Sequence, residues 1–410
     1  MAGTLTSPPK LSADSAGVSR SHLWGRRIAL VSAGVLIFML TAWILSDPVE
    51  HLSTDWTAFD TAADRVFAGE DVYRPYDAET EPLPYLYPPF ALWLALPLGL
   101  FGFAGSFFLS ALFTACCLVF GLVWMSRAER AEVDRSTGLV VGLASGAAVS
   151  STLIGQYSGV YALAVGGAAH AYSNDRKSVA GAFLALLWLK PNLAIAVPIV
   201  LLWSRSWPAL RGFSIASTLI VLASLPFGLE RWSGFFSNVE MMAQLQEDGV
   251  VPFRKMVTVL GSVQTMFPME SISPVVIGIW LISTAIMGVS VLELWRRAAL
   301  DASPVRAFGA LALFLVAANP RLYFYDSTLV VVGMLGVWLH AQSSGSERYR
   351  RLISRLAVAT WFVLWGGIFV SLNALVGPIA GLTLVLVAVD QRFPRVFEGQ
   401  PALTNGPTDL

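Results

Sequence analysis

The sequence has few charged side chains, four histidines and two cysteines among its 410 residues. Only 13% of the residues are charged, whereas 55% are hydrophobic, and the mean hydropathy of +0.64 lies outside the range of soluble globular domains. The formal net charge is zero, so no basic excess indicates nucleic acid as a partner. These scarcities exclude a soluble fold and favour a polytopic membrane protein.

Cysteine and histidine are too sparse to predict disulfide or metal chemistry. Cys116 and Cys117 are adjacent in an apolar run, a spacing that indicates packing residues rather than a disulfide framework or a set of metal ligands. The histidines are dispersed without ligand spacing, and we interpret each as a surface or interfacial residue: His22, His51, His170 and His340. We therefore expect neither a metal nor a cofactor.

Regular alternating segments of about ten residues, which are typical of membrane β-barrels, are also missing. The apolar runs are instead long enough for helices that cross a hydrocarbon core, which takes roughly 20 residues. The sequence predicts an all-α bundle of roughly 11–13 transmembrane or broken helices, some too short to cross alone. Its single transmembrane domain would cover 25–392, between a disordered cytoplasmic tail at 1–24 and a cytoplasmic tail at 393–410, with a retained first span at 28–45.

Lysine and arginine in the connections predict which side of the membrane each loop faces, because short basic loops stay in the cytoplasm. Basic clusters precede the first span and recur at 176–177, 205–211, 296–306, 348–355 and 392–395. The first external loop, 46–87, is rich in acidic residues and has only two basic ones, Arg65 and Arg74. We expect it outside, together with Gly155–Gln156, a second long external segment at 228–270, and Asn319–Asp326.

One conflict in this topology concerns residues 88–125. If both 88–101 and 105–125 crossed fully, the next helices would have the wrong parity. Pro97, Gly99, Gly102 and Gly105 interrupt this region, so we expect one net crossing whose first half is broken or re-entrant.

The first external loop contains the most informative carboxylate, Asp55. Residues 55–68 have the apolar spacing of a short amphipathic helix that would lie along the membrane surface, aromatic side down: Trp56, Phe59, Ala63, Val66 and Phe67. An aspartate beside a membrane span and among aromatic rings suits a general base for lipid-borne substrates. The alternative is that Asp55 only caps this helix. Asp60 and Asp64, about one and two helical turns further on, compete for the role of base.

Polar breaks between apolar helices add further candidates. Gly155–Gln156–Tyr157–Ser158 is either a tight turn or part of a site. In Asn319–Asp326, Arg321 either pairs with Asp326 or binds a phosphate, for which its guanidinium group is well shaped. Lys190, between two short apolar pieces, should face a polar cavity, where it is a second candidate phosphate cation or a stabiliser of the broken helix.

The segment 228–270 predicts another interfacial helix, because aromatic and methionine side chains recur from Trp232 to Met242. It would cover the site or meet the acceptor; the alternative is a membrane-surface strut. Gly249 and Pro252 make a mobile join plausible.

Taken in order, these motifs resemble the polyprenol-phosphate-sugar-dependent glycosyltransferases of family 87. The resemblance covers about residues 25–390 and rests on this series: Asp55-Trp56-x-x-Phe59, Gly69 with Val72-Tyr73, Tyr87-Pro88-Pro89-Phe90, Pro97-Leu98, Gly155-Gln156, Lys190-Pro191, Trp207, Asn319-Pro320 and Tyr325-Asp326. Some members have a histidine in the segment corresponding to 319–326, where this sequence has Arg321 and Tyr323.

The resemblance implies a GT-C fold and a multi-pass protein of the cell membrane with its site on the external face. It implies inverting, metal-independent transfer of a sugar from a polyprenyl-phosphate donor to a glycolipid or glycan acceptor, with Asp55 as general base. Mannose is the implied sugar, with arabinofuranose or another hexose as alternatives. We expect the substrates to contact Trp56, Tyr87, Gln156, Lys190, Arg321, Tyr323 and Asp326.

Two other classes of protein fit some of these features. A lipid or sugar transporter, acting without bond cleavage, would also have broken helices and cations facing a cavity. Transporters often have repeated halves, and no repeat of the acidic loop occurs in the second half of this sequence. A membrane scaffold would explain the apolar runs but neither Lys190 nor the polar segment with Arg321 and Asp326.

Overall fold

The computed structural model describes residues 55–74, 84–130, 135–247, 253–267, 273–298, 304–344, 346–369 and 372–392, together with Arg27, Leu30, Val31, Gly34 and Phe38. These five single residues are helical and lie in or beside the predicted first span. The rest of that span, both predicted tails, His22, His51 and the predicted join with Gly249 and Pro252 lie outside the described residues.

The described residues form seventeen α-helices and no β-strand. In chain order the helices are α1 (Trp56–Ala68), α2 (Leu92–Gly99), α3 (Gly102–Ala128), α4 (Arg135–Leu143), α5 (Gly146–Ile154), α6 (Ser158–Ser173), α7 (Lys177–Ala185), α8 (Pro191–Ala194), α9 (Ala196–Trp203), α10 (Trp207–Leu222), α11 (Glu230–Glu247), α12 (Val259–Met266), α13 (Pro274–Ala298), α14 (Val305–Ala317), α15 (Thr328–Ser343), α16 (Glu347–Phe369) and α17 (Val376–Arg392). Short 3₁₀ turns lie at Pro89–Ala91, Leu186–Leu189, Leu225–Phe227, Phe253–Lys255, Phe324–Ser327 and Leu372–Leu375. The predicted all-α architecture is confirmed.

Six of the described helical stretches are long and apolar enough to cross a membrane. They are Gly102–Ala128, Trp207–Phe227, Pro274–Arg297, Phe324–Ser343, Glu347–Ile368 and Leu372–Gln391. A seventh crossing is possible if α4 and α5, bent by 43°, form one span. Shorter apolar stretches cover Pro89–Gly99, Lys177–Leu189, Pro191–Trp203 and Val305–Ala317. The protein is therefore a multi-pass membrane protein with several broken helices.

Burial divides the bundle into central and outer helices. In Phe324–Ser343, 78% of the apolar window is buried, whereas the value is 17% for Trp207–Phe227 and for Pro274–Arg297. Most residues of α6 and α14 are buried as well. The exposed sides of the outer helices are apolar, as helices surrounded by lipid must be.

Close backbone contact joins α3 to the central helix α6. A Cβ atom added to Gly166 on α6 would lie 1.9 Å from the carbonyl oxygen of Gly121 on α3, so only glycine fits there. Small residues at such crossings let membrane helices approach closely, which increases their van der Waals contact.

Within 88–128, one helix runs the length of the bundle. The short helix α2 begins after Phe90, whose ring lies 6.3 Å from that of Trp232 on α11. It ends at Gly99, where an added Cβ would lie 2.8 Å from the Cβ of Ala63 on α1. Both ends of α2 thus remain near α1 and α11, and α3 makes the crossing, which is the arrangement expected for one net crossing.

Helix α3 connects the Asp55 end of the bundle to the opposite end. Near its start, Ser106 Oγ accepts a hydrogen bond of 2.9 Å from Trp56 Nε1 of α1. At its other end, the carbonyl oxygen of Ala128 accepts one of 3.0 Å from Ser173 Oγ. Basic side chains that donate to backbone carbonyls gather at this far end: Arg130 to Ser173, Arg135 to Glu129 and Arg297 to Gln391.

The cysteines and the described histidines have packing surroundings. Both cysteines are free, with Cys117 buried and Cys116 exposed on α3. The His170 ring stacks on Trp124, with ring centroids 6.3 Å apart, and His340 Nε2 lies 3.3 Å from Arg306 Nη1. The described residues contain no group of three or more His, Cys, Asp or Glu side chains that could hold a metal ion.

Candidate active site

A cavity of about 480 Å³ lies at the end of the bundle where the predicted external segments meet. Its walls come from the start of α1, the loop before α2, the α5–α6 junction, the break at Lys190, helix α11 and the segment before α15. Six predicted site residues line this cavity: Asp55, Tyr87, Gln156, Lys190, Arg321 and Tyr323. The structure thus brings together residues that are far apart in the sequence.

Asp55 lies at the start of α1, but its carboxylate does not cap the helix. No hydrogen bond joins this side chain to the first turn; Asp55 Oδ2 instead accepts one from Gln156 Nε2. Capping alone, one of the two interpretations of Asp55, is therefore wrong. The carboxylate faces the cavity.

Gln156 reaches Asp55 because the chain turns sharply between α5 and α6. Gly155 has φ +82°, a left-handed conformation that favours glycine, and an added Cβ would lie 2.7 Å from that of Trp56. The carbonyl of Gln156 accepts a hydrogen bond of 3.1 Å from Thr114 Oγ1. A turn is present, as one interpretation predicted, and it also holds a side chain of the site.

The aromatic side of α1 packs on protein rather than on the membrane surface. Trp56, Phe59 and Ala63 are buried, and the Phe59 ring lies 4.8 Å from that of Tyr157 and 4.6 Å from that of Tyr87. Phe67, at the far end of the predicted face, is exposed. The amphipathic helix is confirmed, but the expected contact of its aromatic side with lipid is wrong because the α5–α6 junction covers that side. Trp56 is a packing residue outside the cavity lining.

Burial raises the pKa of Asp55 to about 6, since an ionised carboxylate is poorly solvated there. The hydrogen bond from Gln156 and the positive charges of Lys190 and Lys255 oppose this rise, whereas the charge of Asp326 adds to it. A carboxylate with this pKa is ionised at neutral pH and can still accept a proton readily.

Lys190 forms an ion pair with Asp326 rather than standing alone. Its Nζ lies 2.6 Å from Asp326 Oδ2, and the Asp326 side chain is fully buried. The same oxygen accepts a 3.0 Å hydrogen bond from the backbone N–H of Tyr323. The alternative of an Arg321–Asp326 pair is therefore wrong. Lys190 fastens the broken helix to the segment before α15, with its ammonium group 5.2 Å from the Tyr325 ring centroid.

Arg321 lines the cavity without a partner for its guanidinium group in the part of the chain that the structure describes. The backbone around it is fixed by Asn192, to which the sequence alone assigned no role. Asn192 Nδ2 donates to Asn319 Oδ1 at 2.9 Å and to the Arg321 carbonyl at 3.1 Å. Asn319 Oδ1 also accepts from the Arg321 N–H at 2.9 Å. The position of Asn192 beside Lys190–Pro191 was the available signal.

Helix α11 forms the apolar wall of the cavity. Its contributions are Phe235, Phe236, Val239 and Met242. Arg231 lies 3.5 Å from Asp71, and Asn238 Nδ2 donates to the carbonyl of Tyr85 at 3.3 Å, so α11 is bound to the chain between α1 and α2. The predicted helix in 228–270 is confirmed, and its apolar side chains cover the site.

The other carboxylates of α1 do not line the cavity. Asp60 Oδ1 accepts a hydrogen bond of 3.2 Å from Ser106 Oγ, and Asp64 is exposed. Asp326 lies behind Lys190 rather than in the lining. Tyr323 does line the cavity, and its buried hydroxyl makes no hydrogen bond to the described residues. The catalytic and binding roles assigned to these residues stay predictions.

An all-α membrane bundle whose broken helices enclose a carboxylate, an ion pair and an arginine has the parts of a group-transfer enzyme. The family model described as glycosyltransferase family 87 matches residues 85–320, more than half of the chain. The protein belongs to this family and is a glycosyltransferase. The match includes Tyr87, Gln156 and Lys190, whereas Asp55 and Arg321 lie outside it. No curated protein and no solved structure matches the chain.

Proposed function

We propose that this glycosyltransferase transfers a sugar, with mannose as the first candidate, from a polyprenyl-phosphate donor to a hydroxyl of a glycolipid or glycan acceptor. The observation that carries the proposal is the cavity that Asp55 and Arg321 both line. It offers a proton acceptor and a phosphate-binding cation within one enclosure. Membrane helices around it and the apolar wall of α11 suit substrates with lipid chains.

In this mechanism Asp55 accepts the proton of the acceptor hydroxyl as its oxygen bonds to the anomeric carbon of the donor. The bond from that carbon to the phosphate oxygen breaks on the opposite side, which inverts the anomeric configuration. General-base assistance contributes about 10²–10⁴-fold, so positioning and stabilisation of the leaving phosphate must supply much of the remaining acceleration.

Arg321 is the stronger candidate for binding the leaving phosphate. The charge of Lys190 is already balanced by Asp326 at 2.6 Å, so the pair adds little net attraction for an anion. The Arg321 guanidinium, unpaired among the described residues, presents donors that match phosphate oxygens. The phosphate leaves with its charge held by this cation, in a step that is metal-independent in our proposal.

The direction of the bundle supports an external site in the cell membrane. The basic residues that donate to Ser173 and Gln391 lie at the end opposite to Asp55. Since basic connections stay in the cytoplasm, the cavity would open on the other side.

The test is an assay of the purified protein with a polyprenyl-phosphate sugar and a glycolipid acceptor. Release of polyprenyl phosphate together with a new glycosidic bond is expected. Movement of sugar or lipid across vesicles without bond cleavage would instead establish a transporter and overturn the proposal.

Asp55→Asn should lower kcat by at least about 100-fold, because the amide cannot accept the hydroxyl proton. Asp60→Asn is the matched control, as Asp60 lies one turn along α1 outside the cavity lining, and it should retain activity. Full activity in Asp55→Asn would remove Asp55 as the base.

Arg321→Ala should weaken donor binding more than acceptor binding, measured as separate KM values and as direct binding of polyprenyl phosphate. Arg321→Lys keeps the charge but loses the planar fork of donors, so partial recovery is expected. Unchanged donor affinity in Arg321→Ala would exclude the phosphate role.

A further inference from the structure

The amide of Gln156 joins Asp55 to Tyr87 in a chain of hydrogen bonds. Tyr87 Oη donates to Gln156 Oε1, and Gln156 Nε2 donates to Asp55 Oδ2. The three residues come from the loop before α2, the α5–α6 junction and the start of α1. Each of the two side-chain contacts joins residues that are distant in the sequence.

Only one orientation of the Gln156 amide satisfies both hydrogen bonds when Asp55 is ionised. An ionised carboxylate can only accept hydrogen bonds, so Asp55 needs the NH₂ group of the amide. The amide oxygen then faces Tyr87, which must be the donor. A flipped amide would set its oxygen against the carboxylate, where two acceptors meet without a proton between them, and it would lose the hydrogen bond that the phenol now donates. The Tyr87 hydroxyl thus adds to the preference for the productive orientation that the carboxylate sets.

We infer that Tyr87 is a positioning residue whose hydroxyl fixes the Gln156 amide as the hydrogen-bond donor to Asp55. The sequence predicted Tyr87 as a substrate contact, and its hydrogen bond to Gln156 gives it this further role. Only the kinetic part of its test rests on the proposed function, in which Asp55 is the base.

Tyr87 is itself held firmly, as a positioning residue must be. Its backbone carbonyl accepts a 2.6 Å hydrogen bond from Tyr73 Oη, and its ring lies 4.6 Å from that of Phe59. Its side chain is buried. The phenol therefore has little freedom to leave Gln156 and follow a substrate.

Several other groups act on Asp55, so the effect of the amide must be separated from theirs. The positive charges are those of Lys190 and Lys255, and the negative charge is that of Asp326. Arg321 lines the same cavity. Phenols that interact with the Asp55 charge are those of Tyr87, Tyr323 and Tyr325.

The first measurement is an infrared titration of the Asp55 carboxyl group without substrate, as the difference between each protein and the same protein with Asp55→Asn. In Tyr87→Phe the Gln156 amide loses the hydrogen bond that supports its orientation. It then donates less consistently to Asp55, and the ionised carboxylate is less well stabilised. The Asp55 titration should therefore move upward by about one pH unit.

A double-mutant cycle with Gln156→Leu distinguishes positioning from a direct effect of Tyr87. If Tyr87 acts through the amide, Tyr87→Phe causes no further shift once Gln156 is replaced. Gln156→Met, which keeps the side-chain length, serves the same purpose if Gln156→Leu does not fold. Tyr85→Phe is the matched control, because the Tyr85 hydroxyl is also buried among these rings but makes no hydrogen bond to the described residues. The Asp55 carboxyl should titrate in this variant as it does in wild type.

An unchanged titration in Tyr87→Phe would overturn the inference, as would an equal shift in the Gln156→Leu background. The second measurement is the acidic limb of kcat/KM against pH, which should move with the carboxyl titration. If the carboxyl shifts as expected but the limb does not follow, the positioning role stands and Asp55 is not the base.

Discussion

At the scale of single residues, the site depends on which side chains meet across the bundle. Asp55 could be selected over the other carboxylates of α1 from the family resemblance and its position just beyond the first span, whereas its partner Gln156 is 101 residues away. Lys190 and Asp326 were both recognised as costly in an apolar setting. Their mutual pairing could not be predicted, since Arg321 is nearer in sequence and sequence proximity says nothing about which way each backbone segment turns.

The carboxyl of Asp55, partly buried in the cavity wall, makes stability depend on pH. Its pKa rises from 3.8 to about 6 in the folded protein, so its contribution to stability is present below about pH 4 and is lost as the pH rises through about 6. Asn at this position avoids the ionisation. The melting temperature of Asp55→Asn minus that of wild type should therefore increase from pH 4.5 to pH 7.5. A constant difference across this pH range would show that burial of the Asp55 carboxyl does not govern its ionisation.

Replacing only one residue of the Lys190–Asp326 pair should lower the free energy of unfolding substantially. Lys190→Met leaves a fully buried carboxylate without its cation, for which a loss of about 3–5 kcal/mol is typical. Replacing both residues, as Lys190→Met with Asp326→Leu, should recover much of this loss in thermal melting. Arg351→Met is the control, because both side chains of its 3.4 Å pair with Glu347 are exposed and the pair should contribute less than about 1 kcal/mol. Equal losses in Lys190→Met and Arg351→Met would show that the buried pair is not stabilising.

At the scale of helices, periodicity predicted α1 and the side of it that is buried. It could not say what covers that side, because a protein core and a lipid surface demand the same apolar pattern. The broken helices at Lys190 and at 88–101 were recognisable from proline and glycine. The close crossing of α3 and α6 was not, since it depends on contact between Gly121 and Gly166, which are 45 positions apart in the chain.

The close crossing of α3 and α6 predicts that alanine destabilises the protein at one helical glycine and not at another. Gly166→Ala places a methyl group 1.9 Å from the Gly121 carbonyl oxygen, and the helices must separate, at a cost of about 1–3 kcal/mol. Gly278→Ala on α13 has open space around the added methyl and should cause no loss. Thermal melting in one detergent compares them directly. Equal melting temperatures would show that α3 and α6 do not approach this closely.

At the scale of the whole molecule, the sequence predicted the convergence of the segments now found around the cavity. Loop charge assigned most of the polar breaks to one side, because basic connections and polar breaks alternate along the chain. At 88–125 the interrupting proline and glycines were also needed to keep this alternation. The number of spans was less predictable. Helices such as α8 and α9 are too short to be recognised singly as membrane spans. Whether they count as one crossing depends on how they pack end to end at the break.

The same reasoning predicts which end of the bundle faces the outside. Lys255 is exposed near the cavity, close enough to act on Asp55, whereas the exposed side chain of Arg296 lies near the far end of α13. In a Cys116→Ala background, which removes the exposed native thiol, Lys255→Cys should react with a membrane-impermeant maleimide on intact cells. Arg296→Cys should react only after the membrane is permeabilised. A melting temperature equal to that of the Cys116→Ala protein in both variants would serve as the control for folding. The reverse pattern of labelling would place the cavity in the cytoplasm, and with it the acceptor hydroxyl that Asp55 is proposed to deprotonate.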